Sequence, residues 1–161
     1  MPWRGRAALK ALEIGSFEGR SALWLLENIL THRDSTLTCI DIFWTDYEAV
    51  FDANIAASGV AGKVRKYKGR SEDILPRFPD AAFALIYIDG GHRADEVWAD
   101  AQEAWRLAAP GGIIIFDDYL WALQLPPDER PKQTIDRFLR EFGASQEVLH
   151  KGYQVIVRKS G

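Results

Sequence analysis

Cys39 is the only cysteine among 161 residues, which excludes an internal disulfide and any multi-cysteine zinc site. That usage predicts a reducing, cytoplasmic setting. Long apolar runs are missing too: none approaches the ~20 residues that span a bilayer, so no membrane partner is expected. The opening residues Met1-Pro2-Trp3-Arg4-Gly5-Arg6 lead into no apolar core or small-residue cleavage site, which argues against a secretion signal. Positive charge is not in excess, with 20 Lys and Arg against 23 Asp and Glu and a formal net charge of −3. A nucleic-acid backbone demands clustered Lys and Arg, so no nucleic-acid partner is expected. Repeats, low-complexity tracts and linkers are also wanting. The length suits a single domain over residues 1–161 with a sizeable core.

What the chain does have is a rhythm of apolar strand, turn and amphipathic helix. Ala8–Ile14 reads as a strand and Arg20–Thr31 as a helix, with Leu23, Leu26 and Leu30 on one face. Thr36–Ile40 is the next strand, ending at Asp41. Asp46 can cap a helix to about Ser58, which Gly59 stops. Val64–Lys68 is a third strand, and Ser71 can cap a short helix. Phe83–Ile88 is almost wholly apolar, as a strand covered on both faces must be. A helix from Asp95 to Ala108 stops at Pro110-Gly111-Gly112, and Ile113–Phe116 follows as a buried strand. Pro131 opens a helix reaching Phe142. Ser145–Leu149 and Tyr153–Val157 form a hairpin turning at His150-Lys151-Gly152. This alternation predicts an α/β fold, a doubly wound and mostly parallel seven-stranded sheet with an antiparallel C-terminal hairpin. Ligands then bind beyond the carboxyl ends of the strands.

Gly15 and Gly19 flank the first strand-to-helix turn, where glycine permits unusual dihedrals and close approach of a ligand. Any such turn can use glycines. Two features add to them: Glu13 near the end of the strand, and Asp41 closing the next strand 22 residues after Gly19. An acidic residue there commonly holds ribose hydroxyls. The G-x-G-x-x-G fingerprint is absent because Phe17 stands at its second glycine, which disfavours a nicotinamide enzyme.

The run Glu13-Ile14-Gly15-Ser16-Phe17-Glu18-Gly19-Arg20-Ser21 resembles the first motif of class I S-adenosylmethionine-dependent methyltransferases, and the resemblance extends from Leu12 to Asp118. It implies a Rossmann-like methyltransferase fold. It also implies that Glu13, Gly15, Ser16, Phe17, Gly19 and Ser21 surround the methionine part of S-adenosylmethionine. Asp41 and Ile42 would face the ribose, and Gly69, Ser71 and Glu72 the adenine side. Ser71 reads equally as a plain helix cap.

Asp89 follows the fourth strand, and Asp117 and Asp118 follow the fifth. Neighbouring strands lie ~5 Å apart, so these carboxylates can converge. A divalent cation relieves their repulsion, and an all-oxygen set suits Mg²⁺, Mn²⁺ or Ca²⁺. Aspartates at strand ends also serve as caps and turn residues. His92 follows Asp89 across Gly90-Gly91, and a group titrating near neutrality beside a metal suits a general base. The pattern Asp-Gly-Gly-His, then Pro-Gly-Gly, then Asp-Asp, resembles metal-dependent sugar O-methyltransferases more than catechol-type ones, which carry lysine at the base position. By that likeness Asp89, Asp117 and Asp118 hold Mg²⁺, His92 and Asp89 are catalytic, and Asp89 also contacts the cofactor. The expected substrate is a small hydroxylated molecule, a sugar or catechol-like diol.

Trp24, Trp98 and Trp105 fall in helices and read as core residues. Phe43-Trp44, Tyr119 and Trp121 follow strand ends and read equally as pocket lining or as packing under loops. The segment from Trp121 to Arg130 resembles a lid. Relatives of this type carry N-terminal cover helices before the first strand, and this sequence shows none, which is expected of a minimal enzyme, of a truncated one, or of one that borrows a cover from another subunit of a homo-oligomer. The other readings are a metal-independent methyltransferase and a non-catalytic cofactor-binding domain.

Overall fold

Five strands run parallel in one sheet: Lys10–Ile14 (β1), Thr36–Asp41 (β2), Val64–Lys68 (β3), Phe83–Ile88 (β4) and Ala108–Phe116 (β5). Gln146–Lys151 (β6) and Val155–Lys159 (β7) complete it as an antiparallel hairpin, giving the order β3-β2-β1-β4-β5-β7-β6. The computed structural model describes residues 3–44 and 46–161; Met1 and Pro2, on which the secretion-signal reading partly rests, lie outside them. No helix of the described residues is long and apolar enough to cross a membrane.

The helices are Arg20–Asn28 (α1), Tyr47–Ala57 (α2), Ser71–Ile74 (α3), Ala94–Leu107 (α4) and Lys132–Glu141 (α5). Successive side chains of a strand point to opposite faces, which sorts the core into two layers. On one face Ala22, Leu25 and Leu26 of α1 and Phe51 and Ile55 of α2 pack with Leu37 and Cys39. On the other, Val97, Ala101 and Ala104 of α4 and Ile135 and Phe138 of α5 meet Ile86, Ile114 and Val157. Each fully buried large apolar side chain contributes about 1.5–3 kcal/mol, so these layers fix the sheet.

Several boundaries differ from the sequence reading. β5 starts at Ala108 and runs through Pro110-Gly111-Gly112, because a register shift opposite Phe83 and Leu85 takes up the irregular residues and Gly111 adopts φ 73°. The hairpin turn lies beyond Lys151 rather than at it. β6 is exposed along most of its length, so it carries no apolar alternation to mark its end. Helix α1 ends at Asn28, with Leu30 N–H closing on the Leu25 carbonyl at 2.8 Å. Asp46 precedes α2 without a side-chain cap bond, and Ser71 is the first residue of α3 rather than its cap.

β1 and β4 are neighbours at the point where the strand order reverses, with Ile14 opposite Ile88. A crevice opens there because the helices leave toward opposite faces. The loops above it are laced together by Gly15 N–H to Ile40 O at 2.9 Å, Asp89 N–H to Ile14 O at 2.8 Å, and Asp117 N–H to Ile88 O at 3.0 Å.

Candidate active site

The turn after β1 is held from the side by Asp41. Its Oδ2 accepts from the backbone N–H of Ser16 at 2.8 Å and Phe17 at 2.9 Å, and its Oδ1 from Phe43 at 2.7 Å. Phe17 and Phe43 both sit at φ 46°, a left-handed conformation that costs a bulky residue energy. The Asp41 carboxylate thus pins both strained residues at once, the over-determination such backbone needs to persist. A carboxylate has about four acceptor sites, so one remains for a ligand. Gly15 is required for a reason the sequence did not reveal: at φ 85°, a Cβ there would collide with the Asp89 carbonyl.

Gly15, Ser16, Phe17, Ser21, Asp41, Ile42, Gly69, Ser71 and Glu72 line a cavity of about 1560 Å³. Glu13 and Gly19 do not line it. Gly19 packs against the Phe51 ring, and Glu13 is fully buried beneath the turn. Among the described residues neither Glu13 oxygen has a hydrogen-bonding partner, although Ser16, Ser21 and Cys39 surround it; burial pushes its carboxyl pKa up. Ser16 Oγ is likewise buried and unpaired. Glu72 is drawn to Arg70, whose Nε donates to Oε1 at 2.6 Å.

The same cavity carries Asp89, His92 and Asp118, each offering one ligand atom within 4.8 Å of the others. His92 Nε2 lies 2.8 Å from Asp118 Oδ2, and Tyr153 donates its hydroxyl to Asp118 Oδ1 at 2.9 Å. That contact raises the His92 pKa and lowers that of Asp118. Burial, with Asp117, Asp118 and Glu13 nearby, pushes Asp89 up to about 7. Asp117 lies on the cavity wall but stands apart from the triple. One of its oxygens accepts from the Tyr87 hydroxyl and the other from Asp118 N–H at 2.8 Å. Asp118 itself takes φ 57°, outside the usual range for a non-glycine residue.

Aromatic residues divide. Trp121 stacks on His92 with ring centroids 4.4 Å apart, and Trp44 and Trp24 are exposed beside the cavity. Trp24 is therefore not a core residue, whereas Trp98 and Trp105 pack against the core. Phe43 is buried against Phe51, and Tyr119 is buried with its hydroxyl on Asp136.

The sequence profile of the methyltransferase-domain family matches residues 12–119, well over half of the chain. The chain belongs to the methyltransferase-domain family. A protein of Mycolicibacterium vanbaalenii named "Putative O-methyltransferase" is 32% identical over 109 residues, which are 67% of this chain and 46% of that protein. The chain thus spans about half the length of the curated relatives it matches. The crystal structure of the O-methyltransferase TomG from Streptomyces achromogenes, involved in tomaymycin synthesis and solved with S-adenosylmethionine, superposes with a TM-score of 0.74. It is 25% identical, covering 94% of this chain and 73% of that one. An O-methyltransferase from Bacillus cereus, solved with S-adenosylhomocysteine, shares the fold at a TM-score of 0.74 and 23% identity, covering 94% of this chain and 74% of that one.

This methyltransferase-domain protein keeps some site residues out of sight of its sequence. Tyr87 and Tyr153 reach the aspartates only through the fold. Asp100 was legible in principle: it falls in the buried series Val97, Asp100, Ala101, Ala104 and Leu107 of α4, where an acidic side chain is out of place. It is 4% exposed and lies on the cavity wall.

Proposed function

We propose that this domain is an S-adenosylmethionine-dependent O-methyltransferase for a small hydroxylated acceptor, a sugar or catechol-like diol, with a divalent cation at the aspartate cluster. The observation that carries this reading is one cavity joining two chemistries. The Ser16–Ser21 turn and Asp41 line it together with the cluster Asp89, His92 and Asp118. Its volume exceeds the 300–1,000 Å³ usual for one small ligand, which suits a cofactor and an acceptor together.

The residues fit both groups. The unpaired, buried Glu13 carboxylate beneath the turn favours a cationic ligand above it, and the acidic cluster favours a metal ion. When bound, the cofactor supplies an electrophilic methyl on a sulfonium, and a divalent cation supplies charge that makes an acceptor hydroxyl more acidic. Asp89, Asp117 and Asp118 would hold the cation, with Asp117 turning from Tyr87 to join. His92 takes the acceptor's proton on its imidazole, and Asp118 steadies the resulting imidazolium through the Nε2 contact. Trp121 holds the ring in place from its face. The protein otherwise contributes orientation, which is worth up to about 7–11 kcal/mol in the best models.

A second ligand set, Asp89, His92 and Asp118, is favoured by their spacing. An imidazole donor shifts preference from Mg²⁺ toward Mn²⁺ and its neighbours. Transfer of labelled methyl to a panel of vicinal diols, with and without chelator, tests the proposal. Product that disappears with chelator supports it, and absence of product from every diol with Mg²⁺ or Mn²⁺ overturns it. Manganese titration of Asp117→Ala and His92→Ala separates the ligand sets, since only a true ligand weakens binding.

A further inference from the structure

Asp117 and Asp118 are neighbours in sequence, yet the fold holds them in opposite ways, and a tyrosine grips each of them. The Tyr87 hydroxyl donates to Asp117 Oδ2, while Asp118 N–H occupies Oδ1 at 2.8 Å. Gln154 Nε2 donates to the Tyr87 oxygen at 3.5 Å, which leaves the hydroxyl proton for Asp117. Tyr87 is buried within β4, so its ring has little room to follow Asp117 elsewhere. Asp118 is gripped from the other side. The Tyr153 hydroxyl donates to Oδ1 at 2.9 Å, and the Tyr153 carbonyl accepts from Tyr119 N–H at 2.9 Å. Asp118 takes φ 57°, a conformation that persists only where several contacts hold it. Its Oδ2 is thereby left facing His92 Nε2 at 2.8 Å. Adjacent donors of a six-coordinate ion with bonds of about 2.1 Å lie about 3 Å apart, so this pair already stands at the spacing of two ligands. Asp89 supplies the third atom of the triple.

We propose that Tyr87 and Tyr153 set which cation this site takes: Tyr153 aims Asp118 into the cluster, Tyr87 keeps Asp117 out, and the ion meets one imidazole nitrogen and two carboxylates. The inference rests on the cation reading above and decides between its two ligand sets, in favour of Asp89, His92 and Asp118. In that set His92 serves the cation rather than the acceptor's proton. A nitrogen donor suits Mn²⁺ and the later first-row ions, whereas Mg²⁺ and Ca²⁺ prefer oxygen alone. Asp117 in place of His92 would make the set all-oxygen, but bringing it in breaks the hydroxyl contact of a buried tyrosine. A hydrogen bond to a charged group corresponds to about tenfold or more in an equilibrium, and Tyr87 holds Mg²⁺ binding back by that factor. Both tyrosines are positioning residues, acting on the cation through the aspartates they hold.

The test is cation binding to the full chain, with Mn²⁺ followed by electron paramagnetic resonance and Mg²⁺ by its displacement of Mn²⁺. The wild-type Mn²⁺ complex is expected to show spin-echo modulation from a directly bound imidazole nitrogen, lost in His92→Ala. Tyr87→Phe keeps the ring and frees Asp117, so Mg²⁺ affinity should rise by about tenfold and the preference for Mn²⁺ should shrink. That gain should vanish when Asp117→Asn accompanies it, the double variant binding Mg²⁺ no tighter than Asp117→Asn alone. Tyr153→Phe unpins Asp118 and should weaken Mn²⁺ binding by about tenfold. A merely structural role for Tyr87 would weaken both ions and tighten neither. Mn²⁺ bound without the nitrogen signal, or Mg²⁺ affinity in Tyr87→Phe at or below that of the wild type, overturns the proposal. If Tyr87→Phe does not fold, the half-exposed Tyr153 decides: unchanged Mn²⁺ affinity in Tyr153→Phe overturns it. A wild-type chain that binds neither ion overturns the cation reading itself, a result distinct from binding that lacks the nitrogen signal.

Discussion

Replacing Asp41 by alanine should damage stability and ligand binding together. The carboxylate accepts three backbone N–H groups, from Ser16, Phe17 and Phe43. Hydrogen bonds to a charged acceptor contribute about 1.5 kcal/mol each at the lower end of their range. Against this, Phe17 and Phe43 are both held at φ 46°, and letting them relax returns about 1 kcal/mol each. The net expected loss is about 2–3 kcal/mol, read as a lower urea midpoint at constant slope. Relaxation of Phe17 also opens the turn after β1, so S-adenosylhomocysteine affinity should fall by more than the roughly tenfold expected from one lost contact. Asp41→Asn keeps acceptor oxygen on one side only and should fall between. A loss of stability below about 0.5 kcal/mol, or ligand binding unchanged in Asp41→Ala, would refute the bracing role.

Other outcomes follow from the same geometry. Gly15→Ala sets a Cβ against the Asp89 carbonyl at φ 85°, and should cost about 3 kcal/mol or more in chemical denaturation. A near-neutral result would show that the two loops are not in close contact. The folded-state pKa of Asp100 is raised from 3.8 to about 6 by burial and by Glu96 and Glu72, so the folded chain holds more protons than the unfolded one between those values. Its contribution is therefore fully present below about pH 4 and lost as pH rises through about 6. Asp100→Asn should accordingly gain about 2–3 kcal/mol on the wild type between pH 4 and 8, and parallel stability profiles would contradict this. Trp121→Ala frees the His92 ring from its stacking partner. It should slow methyl transfer about tenfold through lost orientation while leaving S-adenosylhomocysteine affinity intact; a change confined to affinity would argue against the assignment.

Much of this architecture was legible because the signals were local. The apolar run Phe83–Ile88 marks a strand covered on both faces, and it pairs with both β1 and β5. The acidic residues Asp41, Asp89, Asp117 and Asp118 read as strand ends, and all line the cavity. What stayed hidden depends on contacts between distant segments. Asp41 braces two strained phenylalanines, a role no spacing in the sequence records. Glu13 faces inward beneath the turn, because alternation along β1 sends its side chain to the opposite side from that of Ile14, which lines the cavity. The hairpin was placed two residues early because exposed β6 lacks an apolar pattern, and β5 was shortened because Pro110-Gly111-Gly112 imitates a stop.

Titration of the wild-type chain with S-adenosylhomocysteine tests the central claim most directly, that the cavity between the Ser16–Ser21 turn and Asp89 is a cofactor site. The account predicts one molecule bound per chain and the affinity strongly reduced in Asp41→Ala. No heat of binding from a folded wild-type chain, or binding indifferent to Asp41, would contradict it.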